Sequence, residues 1–306
     1  MVALNHLSDP ILAALREFAP VTPHMEGHLE EAIMQATAEP GKLVRARLAY
    51  EAGRVHGLGE AAALQLACGV EYFHTASLIL DDLPSMDDAS TRRGLPCVHV
   101  QHGEATAILA SLALINRAYA LVGFAFTDQS AEVRWRATVC VDACLGPAGL
   151  VGGQASDLRY GEGLGGARAV GRIAAAKTGA LFWLAVFLPA LAAKANARER
   201  SELKRLCVYW GLAFQAMDDL GDVLKTNAEA GKSTGRDQYL SRPNLALVLG
   251  VPQARARVAR LARQANGACR RLAANDARWA YLTRFHRECF EVVYHRTIRA
   301  LDLVAA

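Results

Sequence analysis

The sequence predicts an all-α chain that forms one domain over residues 1–306. Three observations carry that expectation. Ala- and Leu-rich blocks with apolar residues three and four apart recur throughout, the spacing that lines one helical face. No stretch alternates apolar and polar residues between hairpin turns, as a half-buried strand would. No linker rich enough in turn residues cuts the chain in two, and no internal repeat of fixed period appears.

Taken in order, helices are expected over residues 7–19, 26–38, 42–56 and 59–83, broken at Pro20 to Pro23, at Pro40-Gly41 and at Gly57 to Gly59. Pro84 ends or kinks the fourth helix. Further helices are expected over 103–126, 129–145, 148–159, 168–176, 177–195, 197–225, 244–249, 253–273 and 275–303, with loops at Gly161 to Gly166 and Asn227 to Arg242.

Composition narrows the class. Hydrophobic residues make up 52% and charged residues 21% of the 306, enough for a sizeable core and unlike a disordered chain. A net charge of +4 is too small to argue for nucleic acid, and no nucleic-acid motif supports it. The seven cysteines form no CxxC pair and are odd in number, which argues against a disulfide framework or a zinc knuckle and for a reducing cytoplasm. The N-terminus lacks the basic and long apolar regions of a signal peptide. No transmembrane segment is expected. The run Gly179 to Ala193 is interrupted by Pro189 and falls short of the roughly 20 residues a span needs. The run Ala105 to Phe126 contains Asn116 and Arg117. Both runs read as buried core helices.

The chemistry concentrates in two acidic stretches. Asp81, Asp82, Asp87 and Asp88 put four carboxylates within eight positions, directly after the apolar run Ala76 to Leu80. Crowded anions repel and resist ionisation, so a bound cation is the simplest stabiliser. Oxygen ligands without thiolates favour a hard ion, magnesium before zinc. Arg92 and Arg93 add phosphate-binding capacity, and metal plus arginine beside an oily helix suggests a diphosphate on an apolar tail. The second stretch holds Gln215, Asp218, Asp219 and Asp222. On a helix Asp218 and Asp222 share a face, a like-charge pair that also calls for a cation. It too follows an apolar segment, with Lys225, Lys232, Arg236 and Arg242 downstream. Carboxylates facing each other across a bundle would hold metal ions between them.

These residues resemble the all-trans isoprenyl diphosphate synthase (polyprenyl synthetase) family, from about Pro40 to Arg242, most closely its bacterial geranylgeranyl diphosphate synthases. Asp81, Asp82 and Asp87 match the family's first aspartate-rich motif in its longer DDxxxxD form, and Asp218, Asp219 and Asp222 match the second, DDxxD. The resemblance implies a helical bundle around a deep apolar cavity and a magnesium-dependent prenyltransferase that condenses isopentenyl diphosphate with allylic diphosphates. It assigns magnesium to Asp81, Asp82, Asp87, Asp218, Asp219 and Asp222. It assigns the allylic diphosphate to Arg92, Lys177, Gln215 and Lys232, isopentenyl diphosphate to Lys42, Arg45, His74 and Arg93, and substrate binding also to Thr178 and Arg242. The implied catalytic set is Asp81, Asp82, Arg92, Lys177, Asp218 and Lys232. The chain departs from the family at Leu43, where another basic residue is common, at Ala46, where proline is common, and at Arg242, where lysine is usual.

Product length is expected to depend on Ala76 and Ser77, about one turn before Asp81. The family places an aromatic here to stop growth at farnesyl, whereas small residues let the tail reach geranylgeranyl diphosphate. One turn is about 5.4 Å, on the order of one isoprene unit. The chamber floor is expected from a facing helix near Leu109 to Leu114. The resemblance also implies a homodimer, with the helix over 103–126 as a possible interface. Arg255, Arg257, Arg260, Arg263, Arg270 and Arg271 are expected to form a solvated helix face, with a weak membrane-surface contact as the sharper alternative. The competing readings are a farnesyl diphosphate synthase, a terpene cyclase on the same fold and a subunit of a heteromeric synthase. Lys42, Arg45, His74 and Arg93 argue against the cyclase, and two intact aspartate motifs against the subunit.

Overall fold

In the first half the helical periodicities become α1 (Ser8–Glu17), α2 (Gly27–Ala38), α3 (Val44–Val55) and α4 (Glu60–Asp81). A hairpin, β1 (Thr91–Arg92) and β2 (Leu95–Pro96), then leads through the short α5 (Val98–His102) to α6 (Glu104–Ala125). The computed structural model describes residues 8–38, 41–162, 165–224, 226 and 234–291. Those up to Trp135 form one compact unit and those from Arg136 a second.

The first unit is organised around α4, which packs on α6, α3 and α1. Its sequence is apolar on nearly every side, so it buries the four consecutive residues Leu66, Ala67, Cys68 and Gly69, which point all round the helix. A helix apolar all round belongs inside. The Tyr72 hydroxyl donates to the Leu15 carbonyl and so ties α1 to the core. The ring of Phe73 meets that of Tyr119 edge-on at 4.9 Å.

Helix α6 corrects one expectation. It buries Ala107, Ala110, Ser111, Leu114, Ala118, Leu121, Val122 and Ala125, but Ile108, Leu109, Leu112, Tyr119 and Phe124 are exposed. Only one of its faces is buried, so it is not the wholly buried core helix that its composition suggested. Among the described residues it is also the one helix long and apolar enough to cross a membrane, or one of two if the helices Ala167–Lys177 and Gly179–Ala192 are taken as a single bent span.

The hairpin is a second departure, because no strand was expected. Thr91 pairs with Pro96 and Arg92 with Leu95. A two-residue ladder is too short to show alternation. Its signal was the turn: Arg93 (φ 56) and Gly94 (φ 80) both take positive φ, the pattern of a tight hairpin turn.

The second unit contains most of α7 (Ala131–Leu145), then α8 (Leu150–Leu158), α9 (Ala167–Lys177), α10 (Gly179–Ala192) and α11 (Ala197–Leu224). It continues with α12 (Arg236–Tyr239), α13 (Leu245–Leu249), α14 (Val251–Asn275) and α15 (Ala280–His286). α11 packs on α14 and α10. Ala254, Val258, Leu261, Ala265, Cys269 and Leu272 form the buried stripe of α14; Arg260, Arg263, Arg270 and Arg271 are exposed, as expected of a solvated face, whereas Arg255 and Arg257, expected on the same face, are half-buried. Phe182, Trp210, Phe214 and Phe290 form an aromatic core, with Phe214 and Phe290 edge-on at 4.4 Å. Glu199, almost wholly buried, accepts from Arg278 and from the Trp279 indole, both at 2.8 Å.

The helix expected over 275–303 breaks early. Asp276 is extended and its carboxylate caps the Arg278 amide, which restarts the chain as a short 3-10 turn before α15. Residues 292–303 lie outside the described residues. The expected loop at Asn227 to Arg242 contains α12, a single turn that starts after Gly235. All seven cysteines are buried, and none is in a disulfide.

Candidate active site

The first group of predicted residues lies in the first unit, where α4 ends at Asp81. Asp81 and Asp82 are buried carboxylates at that end. The backbone then folds back on itself. The Asp87 amide donates to the Asp81 carbonyl at 2.9 Å and the Ala89 amide to the Asp82 carbonyl at 3.1 Å. A loop, and not helical spacing, therefore returns Asp87 to Asp81. Asp88, the fourth carboxylate, is exposed at φ 47.

Arg92 reaches back from β1 to Asp82, its Nε donating to both carboxylate oxygens at 2.8 and 2.7 Å. Burial alone would lower the guanidinium's pKa, but the Asp82 bonds and the charges of Asp82 and Asp81 outweigh it and raise it above the usual value. Arg93, next in the hairpin turn, is exposed.

Two turns further back along α4, Nη1 of Arg45 meets Nε2 of His74 at 3.3 Å. A guanidinium only donates, so His74 accepts here and carries its proton on Nδ1. Burial, then the cations Arg45, Arg93 and Arg92, hold His74 well below the usual histidine range, so the ring is neutral. Burial lowers Arg45 as well, opposed by Glu71.

Lys42 is exposed and precedes α3, which begins at Val44 and not at residue 42, so Lys42 lies in the turn and Arg45 in the first helical turn. Gly41 (φ +74) abuts Arg93: a Cβ there would lie 2.9 Å from Arg93 Nε. Leu43, one of the family departures, is only 3% exposed, which accounts for an apolar residue at that position.

Ala76 has no exposure, and Ser77 is half-buried with its hydroxyl donating to the His74 carbonyl at 2.8 Å. α4 packs against α6, the facing helix expected to supply a floor. Of its residues 109–114, Ala110, Ser111 and Leu114 are buried, while Leu109 and Leu112 are exposed.

The second group lies in the second unit. Lys177 ends α9, and its Nζ lies 3.5 Å from the Asp157 carboxylate. The Thr178 hydroxyl donates to Oε1 of Gln215 at 3.0 Å, and Nε2 of Gln215 donates to Oδ1 of Asp219 at 2.9 Å. The other Asp219 oxygen accepts from the Leu245 amide at 2.7 Å. Asp219 is 1% exposed and Asp222 is 7%, whereas Asp218 is exposed. Burial pushes the Asp219 carboxyl well above the usual range, against the pull of the Leu245 and Gln215 bonds. Arg242 is half-buried, its amide donating to the Asp237 carbonyl at 2.8 Å. Lys225 and Lys232 lie outside the described residues.

Three residues that the sequence reading overlooked belong to these groups. Glu71, 2% exposed, lies one turn before His74 beside Arg45 and Arg93. Burial pushes its carboxyl up to about 7 although Arg45, Arg93 and the Ala46 amide oppose it. Its signal was a lone acid in the apolar body of α4. Asp157 is the partner of Lys177, and its signal was Gly153: a Cβ there would sit 2.8 Å from the Lys177 amide nitrogen, so only glycine lets α8 approach the end of α9 this closely. Asn244 caps α13 and donates to the Asp219 carbonyl at 3.1 Å and to Asp237 at 2.8 Å.

The donor set at both acidic groups is all carboxylate oxygen, without thiolate or imidazole, which fits a hard divalent ion. An all-α fold that places two such carboxylate groups beside arginine and lysine defines an isoprenoid-synthase-type protein. A model of the polyprenyl synthetase family matches residues 26–275. The chain belongs to that family and is a chain-elongating trans-prenyltransferase.

Among its relatives, geranylgeranyl pyrophosphate synthase 11 of Arabidopsis thaliana is 34% identical over 263 residues, covering 84% of this chain and 73% of that protein. Farnesyl diphosphate synthase of Escherichia coli is 36% identical, covering 85% and 88%. The apo crystal structure of an FPP/GFPP synthase from Zymomonas mobilis superimposes with a TM-score of 0.79 at 28% identity, covering 94% of this chain and 97% of that one.

Proposed function

We propose that the chain, acting as one catalytic domain, condenses isopentenyl diphosphate with allylic diphosphates to give geranylgeranyl diphosphate, with magnesium as cofactor. The observation that carries the proposal is the pairing of two all-carboxylate groups with distinct basic sets in one family-matched chain. Asp81, Asp82 and Asp87, with Asp218 and Asp222, would hold the ions. Asp219 also accepts from the Leu245 amide and from Gln215, which positions that helix end. Magnesium, when bound, supplies the positive charge that makes diphosphate a competent leaving group.

The chain's own residues do the rest. Arg92, Lys177 and Lys232 stabilise the charge that develops as the allylic C–O bond breaks. Thr178 and Gln215 orient the Lys177 end of α9. Lys42, Arg45, His74 and Arg93 hold the second diphosphate without metal, His74 through its Nδ1–H. The double bond of isopentenyl diphosphate attacks the allylic carbon, a proton leaves last, and the departing diphosphate is the base. Apolar surroundings keep water from the cation.

The small residues Ala76 and Ser77 favour geranylgeranyl over farnesyl diphosphate as the product. The proposal includes a homodimer built on the exposed face of α6 and a cytoplasmic setting suited to seven thiols outside any disulfide. The test is incubation with magnesium, labelled isopentenyl diphosphate and primers of several lengths, followed by identification of the chains. Absence of incorporation with every primer overturns the proposal. Unlabelled cyclic products would point to a cyclase, and no product to a partner subunit.

A further inference from the structure

Away from the aspartates, the first unit brings together a different ligand chemistry. His28 and Glu31 on α2 and His102 at the end of α5 each present a ligand atom within 4.8 Å of the others. Two imidazoles and one carboxylate suit a borderline transition metal of the zinc class, not magnesium. His28, Glu31 and Gln35 lie on one face of α2, at spacings of three and four.

The surroundings of the cluster are also those of a ligand site. Nε2 of His102 and Oε1 of Gln35 are 2.8 Å apart, and Nε2 of Gln35 donates to the Pro96 carbonyl at 3.0 Å. A carbonyl only accepts, so the Gln35 amide is oriented with its oxygen toward His102. His102 therefore carries its proton on Nε2 and leaves the lone pair on Nδ1. An outer partner that fixes the tautomer in this way is what metal-binding histidines recurrently have. Glu26 is committed elsewhere, its carboxylate accepting from the amides of His28 (3.1 Å) and Leu29 (2.9 Å), which orders the turn that carries His28.

We propose that His28, Glu31 and Nδ1 of His102 bind a divalent transition-metal ion, with water completing a four-coordinate shell. The ion would pin α2 to α5 and, through Gln35 and Pro96, brace the hairpin that carries Arg92 and Arg93. A small cavity lined by Gln35, Asp82, Arg92 and Arg93 already joins these elements.

The experiment is titration of the full chain with Co2+ in saturating Mg2+, which occupies the carboxylate groups, followed by displacement with Zn2+. Wild type is expected to take up one Co2+ with the intense visible absorption of four-coordinate cobalt, and Zn2+ to abolish it. His28→Ala and His102→Ala, on separate elements, are expected to lose the band, and Gln35→Leu to weaken binding about tenfold or more. His28→Ala is expected to keep magnesium-dependent prenyl transfer, which shows that the chain is folded. No band in wild type, or the same band and affinity in wild type and both histidine variants, overturns the proposal.

Discussion

Nη1 of Arg45 lies 3.3 Å from Nε2 of His74, and burial beside Arg45, Arg93 and Arg92 keeps that imidazole neutral. The contact fixes the ring and aims Nδ1–H away from Arg45, as a diphosphate donor requires. His74→Ala is therefore expected to raise KM for isopentenyl diphosphate about tenfold, the roughly 1.4 kcal/mol of one hydrogen bond to a charged group. KM for the allylic primer is expected to change less than about twofold. Steady-state kinetics with each substrate varied in turn checks this, and equal effects on both would contradict the assignment. Because the ring is already neutral, no inflection from His74 is expected in KM between about pH 6.5 and 9.

Glu71 makes the same corner of the protein pH-sensitive. Its carboxyl is pushed up to about 7 by burial, against about 4.3 in an unfolded chain. The native state thus binds the proton more tightly than the unfolded state. The resulting stabilisation is fully present below about pH 4.3 and is lost as pH rises through 7. A loss on the order of 2–3 kcal/mol is expected between pH 5 and 8. Glu71→Gln keeps the shape and removes the titration, so its urea midpoint is expected to fall less over that range than the wild-type midpoint. Parallel wild-type and variant curves would show that Glu71 does not carry the effect.

The neighbours Asp218 and Asp219 are expected to separate function from stability. Asp218 is exposed, so Asp218→Ala is expected to change stability by no more than about 0.5 kcal/mol. Its proposed hold on magnesium predicts a fall in turnover of at least about 100-fold, or roughly 2.7 kcal/mol of barrier. Asp219→Ala strips the acceptor from the Leu245 amide and from Gln215 in a buried setting. It is expected to cost about 2–4 kcal/mol of stability. Urea denaturation alongside the prenyl-transfer assay checks both, and a stability loss in Asp218→Ala as large as in Asp219→Ala would refute the division.

What the sequence disclosed follows a physical line. Long helices with one-sided apolar stripes, such as α14, announce themselves because burial imposes the 3.6-residue period. The aspartates were visible because four anions in eight positions need a cause. The hairpin was not visible: two residues cannot show a period, and only the positive φ of Arg93 and Gly94 marks it. The break at Asp276 depends on a single side-chain cap inside an otherwise helical run. Sequence also could not show that Asp219 accepts from the Leu245 amide, or that Asp157 meets Lys177, because these pairs join segments 26 and 20 positions apart. The one-sided burial of α6 was likewise hidden, since composition reports how apolar a helix is and not which faces find partners.

Ala76 is where helix geometry bears on product length. It has no exposed surface, lies five residues before Asp81 on α4, and α4 packs against α6. On the proposed reading a tail that grows from the Asp81 end passes this level of the helix, where alanine obstructs less than an aromatic ring. Ala76→Tyr is expected to shift the main product from geranylgeranyl to farnesyl diphosphate. Because the site is tightly packed, overpacking is expected to cost about 1–3 kcal/mol. The readout is therefore the product ratio and not the rate: chains made from labelled isopentenyl diphosphate and a geranyl primer are separated by length. Ser77→Tyr, at a half-buried position, gives the same test with less strain on the core. If both variants still make geranylgeranyl diphosphate as the main product, the chain stops growing for a reason that does not involve this turn of α4.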